Sequence, residues 1–255
     1  MRLVLLGSGS TGNSLYCEAR GYSFLLDAGL SPRKIEGRMR SIGARPQDLR
    51  AILLSHEHGD HVRGAIPFSK RHRIPLLMNA GTLEGLVAEW GGVPGDREVL
   101  VTGQPFSLGP FEVRAFPTPH DAREPVGFLI ALGGTRIGVA VDIGGVTLDL
   151  VAELSGLDCL ILEANHDRRL LEEGPYPPLV KARIAGPLGH LANDEAAALL
   201  AQVRHRGLRR VVLAHLSETN NRPDLARGAV SALLDGSGVS LGIASSHRPT
   251  AVLEK

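Results

Sequence analysis

The apolar run Ala51-Ile52-Leu53-Leu54 empties directly into Ser55-His56-Glu57-His58-Gly59-Asp60-His61, which sets three histidines and an aspartate within six positions. A short run of this kind predicts a strand, and the strand delivers those side chains into a turn at its end. In an extended segment His56 and His58 point to the same side, because side chains alternate with period two. Gly59 then lets the chain turn, so that Asp60 and His61 approach from another direction. Two imidazoles can hold one metal ion while a carboxylate and a third imidazole hold a second beside it. The alternative is a polar loop with accidental histidines, and so dense a cluster of ligand types weighs against it.

Such a cluster needs a packed frame. At 255 residues and 43% hydrophobic content the chain can build one large α/β domain or two small ones. No stretch of about 18 apolar residues suggests a membrane span, and Met1-Arg2 leads straight into Leu3-Val4-Leu5-Leu6 without the plan of a signal peptide. The expectation is a soluble, cytoplasmic protein with no membrane partner. Cys17 and Cys159 both sit in apolar runs, which predicts buried free thiols, not a disulfide framework or a thiolate metal site. A net charge of +1 excludes a global polyelectrolyte surface and leaves room only for a local basic patch.

Taken in order, Leu3 to Leu6 runs into Gly7-Ser8-Gly9-Ser10-Thr11-Gly12-Asn13-Ser14, a loop that can contact an anion through its amides and through Ser8, Ser10 and Asn13. Strands over 15–18 and 23–26, turning at Arg20-Gly21, end in Asp27-Ala28-Gly29. Ser31-Pro32 opens a helix to about Ser41, with serine as its cap. Beyond the histidine cluster the pattern predicts a helix over 62–71, a strand over 74–78, a helix over 82–90, and a meander of antiparallel strands over 98–116. The meander ends at Pro117-Thr118-Pro119-His120-Asp121, and a hairpin around Gly133-Gly134 leads through Ile137 to Val141 into Asp142. An acid there would be costly to bury unpaired. A helix over 147–154 and a strand over 157–162 precede Glu163-Ala164-Asn165-His166-Asp167, and the irregular 168–189 that follows reads as a cover over the site. Gly189-His190 precedes a helix capped by Asn193 and running to about Arg204; a strand over 211–214 ends at His215; a helix over 223–234 and strands around 239–243 and 250–253 close the chain.

His56-x-His58-x-Asp60-His61 resembles the signature of the metallo-β-lactamase superfamily. The resemblance covers essentially the whole chain, and it implies an α/β fold, the four-layer αββα sandwich, as a single domain 1–255 of two similar βα halves. The wording of Gly7 to Ser14, of Glu163 to Asp167 and of the later Tyr176-Pro177 resembles the YycJ-like (WalJ-like) branch, related to RNase Z and to phosphonate-pathway phosphodiesterases. By this resemblance His56, His58 and His120 hold one ion, Asp60, His61 and His215 hold a second, and Asp142 bridges them. Asp27 is then a supporting residue that hydrogen-bonds the ligand loop. Gly189-His190 matches the place where relatives supply a histidine that assists leaving-group departure, which makes His190 a catalytic candidate beside Asp60, with Glu163 as its orienting partner.

Two cations about 4 Å apart can share a hydroxide and lower its pKa, and the nucleophile is then that hydroxide, not a side chain. Within the family, a carboxylate and not a cysteine at Asp142 is similar to the phosphodiesterase and thioesterase branches more than to true β-lactamases, and His58 in place of glutamate argues against the redox-active flavodiiron branch. The expected cofactors are two divalent ions, zinc or manganese, with iron also accommodated by such a donor set. The branch implies exonuclease activity on single-stranded DNA ends, with a strand gripped by arginines such as Arg168, Arg169 and Arg183. The other readings are a small-molecule phosphodiester or thioester hydrolase of the same fold, and a metal-binding scaffold without turnover. Trp90 stands alone and aromatics make up 4% of the chain, so no series of base-stacking platforms is expected.

Overall fold

The computed structural model describes residues 1–92 and 95–254. Its strands are β1 (Arg2–Gly7), β2 (Ser14–Ala19), β3 (Tyr22–Leu26), β4 (Leu49–Leu53), β5 (Leu76–Asn79), β6 (Arg97–Leu100), β7 (Pro105–Leu108), β8 (Phe111–Pro117), β9 (Val126–Leu132), β10 (Thr135–Ala140), β11 (Cys159–Glu163), β12 (Arg210–Ala214), β13 (Ser240–Ile243) and β14 (Thr250–Glu254). The helices are α1 (Pro32–Ser41), α2 (Gly59–Val62), α3 (Ala65–His72), α4 (Ala80–Trp90), α5 (Leu148–Glu153), α6 (Arg168–Glu173), α7 (Pro178–Ile184), α8 (Asn193–Val203) and α9 (Pro223–Leu234). They build an α/β protein with two mixed sheets of seven strands, ordered β14-β1-β2-β3-β4-β5-β6 and β13-β12-β11-β10-β9-β8-β7.

In the first sheet the successive pairs β14-β1, β1-β2 and β2-β3 are antiparallel, and β3 to β6 are parallel. In the second, β9 and β10 form a hairpin and β10 to β13 are parallel. The parallel strands need helical crossovers, and these the sequence supplies with caps: Ser31 Oγ accepts from Lys34 N, Asn79 Oδ1 from Thr82 N, Thr147 Oγ1 from Leu150 N and Asp167 Oδ1 from Leu170 N.

Backbone contacts divide the chain into two compact units, 1–115 with 122–126 and 245–255, and 116–121 with 127–244. Each has its own core. In the first, Leu25, Ile35, Met39, Ile52, Phe68 and Leu86 are fully buried; in the second, Phe116, Leu160, Leu162, Leu199, Leu213 and Val230 are. Burying side chains of this size contributes roughly 1.5–3 kcal/mol each before the entropy cost of ordering them.

Four expectations from the sequence are corrected. The helix expected over 62–71 is broken at Gly64, whose amide donates to Ala28 O at 2.8 Å and whose Cβ, if it had one, would lie 2.0 Å from Leu30 O. β6 is not part of an antiparallel meander; it pairs parallel with β5 after the crossover α4, and only β7 and β8 form the hairpin. Residues 168–189 are not irregular but carry α6 and α7, started by Asp167 and by Pro178. Asn193 is not the cap of α8: its side chain exchanges hydrogen bonds with Asn221 at 3.0 and 2.9 Å, and Glu195 instead accepts from the amide of Ala192.

Candidate metal centre

In the first unit the ligand types come from one loop, between β4 and α3. The rings of His56 and His58 have centroids 4.7 Å apart, those of His56 and His61 4.2 Å apart, and Asp60 Oδ2 lies 3.6 Å from His61 Nε2. Asp27, at the end of β3 and 1% exposed, braces this loop from behind. Its carboxylate accepts from Ser55 N at 2.9 Å, from Ser55 Oγ at 2.9 Å and from His61 Nδ1 at 2.8 Å. Ser55 Oγ, having given its proton to Asp27, accepts from His56 Nδ1 at 3.0 Å. A carboxylate thus fixes two imidazoles, one directly and one through a hydroxyl. Sequence reasoning missed Ser55; the one clue was its place between the strand and the first histidine.

The Asp27 turn and the ligand loop are also tied main chain to main chain. Ala28 N donates to His61 O, Asn13 N to Asp60 O, and Gly29 N to Asn13 O, at 2.8, 2.8 and 2.9 Å. Gly29 is required here, since a Cβ on it would stand 1.6 Å from Asp60 O. Of the loop residues considered for an anion, Ser8 and Asn13 are buried and Ser10 is exposed. Asn13 Nδ2 lies 2.9 Å from His61 Nε2 and 3.2 Å from Asp60 Oδ2, so its amide serves the ligand loop.

The second unit gathers its ligand types one per segment. His120 follows β8, Asp142 follows β10, Glu163 ends β11, His190 precedes α8 and His215 follows β12. Ligand atoms of Asp142, Glu163, His190 and His215 all lie within 4.8 Å of one another. Asp142 Oδ1 is 3.3 Å from His190 Nδ1, 3.4 Å from His215 Nδ1 and 3.8 Å from His120 Nε2. Glu163, fully buried, has four donors: His190 Nδ1 at 2.9 Å and His215 Nδ1 at 2.8 Å on Oε1, Ile143 N at 2.8 Å and Leu191 N at 3.2 Å on Oε2. Burial alone would raise its pKa, but the charge of His190 and the two imidazole hydrogen bonds outweigh it and hold the acid at about 2. For His190 burial opposes protonation, and the facing Glu163 carboxylate prevails and raises its pKa. Asn165, also unassigned by the sequence, donates from Nδ2 to His215 O at 2.9 Å.

Two features suit this donor set to metal. His56, His61, His120 and His215 each have Nδ1 engaged, by Ser55 Oγ, Asp27, Gly189 O and Glu163 respectively, which leaves Nε2 to carry the lone pair. Among the described residues five non-glycines have positive φ, and three of them are Asp27, Asp142 and His215, at 61°, 57° and 55°. Left-handed backbone costs roughly 1–2 kcal/mol per residue, and strain of this kind concentrates at functional sites.

The arginines considered for strand binding are engaged: Arg168 pairs with Asp194 and Glu195, Arg169 with Glu173, and Arg183 with Asp121. His247 is exposed, its amide held by Ser245 Oγ, while His166 is fully buried and its pKa is lowered by that burial.

Comparison with known proteins agrees with this picture. The profile of the β-lactamase superfamily domain matches residues 22–216. The chain is 33% identical to exodeoxyribonuclease YycJ of Bacillus anthracis over 95% of its own length and 92% of that protein. It is 30% identical to exodeoxyribonuclease WalJ of Streptococcus pneumoniae over 94% and 90%. Its fold matches the metallo-β-lactamase fold protein YhfI of Bacillus subtilis with a TM-score of 0.75 at 18% identity, over 98% of both chains. With a profile matched over most of its length, relatives aligned nearly end to end and the fold in common, this chain belongs to the metallo-β-lactamase superfamily, in its YycJ/WalJ branch, and is a metal-dependent hydrolase.

Proposed function

We propose that the protein is a dinuclear metal-dependent phosphodiesterase, an exonuclease acting in the cytoplasm on single-stranded DNA ends. In this reading His56, His58 and His120 hold one ion, Asp60, His61 and His215 the other, and Asp142 is shared. Two divalent cations held there, zinc, manganese or iron, would supply Lewis-acid charge toward a phosphoryl oxygen and lower the pKa of a bound water.

The chain's own residues do the rest. Asp27 and Ser55 orient His61 and His56, and Glu163 orients His215. The observation that carries the reading is that the same Glu163 oxygen also accepts from His190 Nδ1. Because that proton is committed to a buried carboxylate, Nε2 is the nitrogen His190 presents outward, and the ionised Glu163 favours a proton on it. A protonated Nε2 can give that proton to a departing sugar oxygen, which is a poor leaving group without one. A phosphodiester with an alkoxide leaving group is what such a device serves. The exodeoxyribonuclease relatives, aligned over nine-tenths of their length, support DNA as the polymer.

The test is release of mononucleotides from 5′-labelled and 3′-labelled single-stranded DNA with zinc or manganese, for wild type, Asp60→Ala and His190→Ala. His190→Ala should lower turnover of DNA by about 10²–10⁴-fold and spare bis(p-nitrophenyl) phosphate, whose leaving group needs no proton. If DNA survives wild-type enzyme that cleaves the nitrophenyl ester, a small-molecule hydrolase replaces the nuclease; if no ester is cleaved despite bound metal, the scaffold reading stands.

A further inference from the structure

Trp90, the chain's single tryptophan, closes α4 and is 39% exposed. Elsewhere in that helix Leu86 is completely buried, Leu83 partly so, and Val87 is half exposed like the indole. The indole is not loose. Its Nε1 donates to Glu57 O at 3.3 Å, and its Cζ2 and Cη2 lie 3.6 and 3.9 Å from where a Cβ on Gly59 would stand. The guanidinium of Arg63, an exposed residue, reaches within 3.7 Å of the same point. Gly59 sits between His58 and Asp60, so a fixed π face and a cation flank the very loop that carries the candidate ligands. The seam beneath is built to hold them there. Glu57 is 3% exposed, its Oε1 accepts from Arg123 N at 2.8 Å, and a Cβ on Gly85 of α4 would come within 2.6 Å of its carboxyl group.

We propose that Trp90 is a platform on which the unpaired base next to the cleaved phosphodiester stacks, with Arg63 beside the adjoining phosphate. This rests on the nuclease reading and names what selects its substrate. A paired terminal base is held in line by its partner, whereas an unpaired one can turn out of its stack at little cost and lay a face on the platform. Each base has a π face, so one platform grips without reading sequence. A single platform suits an enzyme that takes one terminal nucleotide at a time, whereas tracking a long strand needs a row of them.

The experiment is a cycle between enzyme and substrate. Wild type, Trp90→Phe, Trp90→Leu and Trp90→Ala are assayed on a single-stranded oligomer and on its counterpart with an abasic terminal residue. Stacking predicts that Trp90→Ala and Trp90→Leu raise KM on the normal oligomer by about tenfold, that Trp90→Phe retains most of the wild-type value, and that all four enzymes are alike on the abasic strand. With one tryptophan in the chain, intrinsic fluorescence reads the contact directly. Metal-loaded wild type should be quenched by a hydrolysis-resistant phosphorothioate oligomer and much less by its abasic form. Equal losses on both strands, or quenching indifferent to the base, overturns the proposal while leaving the nuclease in place. Wild type that cleaves no DNA overturns both.

Discussion

The two units repeat one backbone device and use it differently. In each, a hairpin (β2 and β3, or β9 and β10) ends in an aspartate with left-handed φ, then any residue, then glycine: Asp27-Ala28-Gly29 and Asp142-Ile143-Gly144. Each glycine lies against the segment carrying a candidate residue, Gly29 on Asp60 O and Gly144 on Gly189 N, where a Cβ would stand 1.6 and 2.4 Å away. Yet Asp27 faces backward to brace Ser55 and His61, while Asp142 stands 3.3–3.8 Å from three imidazoles and leaves the bracing to Glu163. The difference follows from what the neighbouring loop brings. Where one short loop carries a dense set of ligand types, the turn's carboxylate is spared to orient them; where each segment brings one, that carboxylate joins the set.

This comparison breaks most visibly at the ligands. Asp60→Ala in the first unit and Asp142→Ala in the second should each lower DNA turnover by about 10²–10³-fold, the order lost with one well-placed electrostatic contact. Bound metal, counted by elemental analysis, should fall in both variants; full metal content in either would remove that residue from the ligand set.

Next come the braces. Asp27→Asn and Glu163→Gln should each cost about 10–100-fold in metal affinity or activity, with an added asymmetry. Asp27 serves only the ligand loop, so its loss should be rescued by excess metal. Glu163 also serves His190, so Glu163→Gln should remain impaired on alkoxide-leaving substrates at any metal concentration and recover on the nitrophenyl ester. Equal rescue of the two variants would contradict the division of labour.

Smaller effects are expected of the turns themselves. Gly29→Ala and Gly144→Ala force a methyl group against main chain and should destabilise by roughly 1–3 kcal/mol, read as a drop in the denaturant midpoint. Gly145→Ala is the control, its Cβ meeting only Pro187 O at 3.8 Å, and a comparable loss there would show that the close approaches are not what matters.

The mildest probe leaves the protein unaltered. Each unit holds one thiol, Cys17 in β2 and Cys159 in β11, both buried, and burial pushes Cys17 far up and Cys159 up to about 12. Neither should react with a thiol reagent under native conditions at neutral pH, where the thiolate is scarce and inaccessible. If 1–255 folds as the single domain that the family resemblance implies, both become reactive in one denaturant transition; two transitions would separate the units.

The candidate ligand loop of the first unit stands out from residues alone, because four side chains of ligand type crowd one strand end and period-two alternation already aims two of them together. Helix α9 and the hairpin of β9 and β10 were equally plain, since proline at a helix start and paired glycines at a turn act within a few residues. Family resemblance added His120, Asp142, His190 and His215, each a lone residue after its own element. What stayed hidden were choices made by distant partners: Ser55 as the link between Asp27 and His56, Asn165 beneath His215, Asn193 drawn from its cap by Asn221, and the break at Gly64 imposed by Ala28 and Leu30.

Residue chemistry and local spacing were enough to set out an α/β chain with clusters of ligand-type side chains at strand ends, because strand alternation, turn glycines and the crowding of histidines are short-range properties. Which carboxylate braces a neighbouring loop and which faces several imidazoles was decided only in three dimensions. Asp27 and Asp142 share a turn and a backbone conformation, and only the packed neighbours, a serine and a histidine for one and three imidazoles for the other, tell them apart.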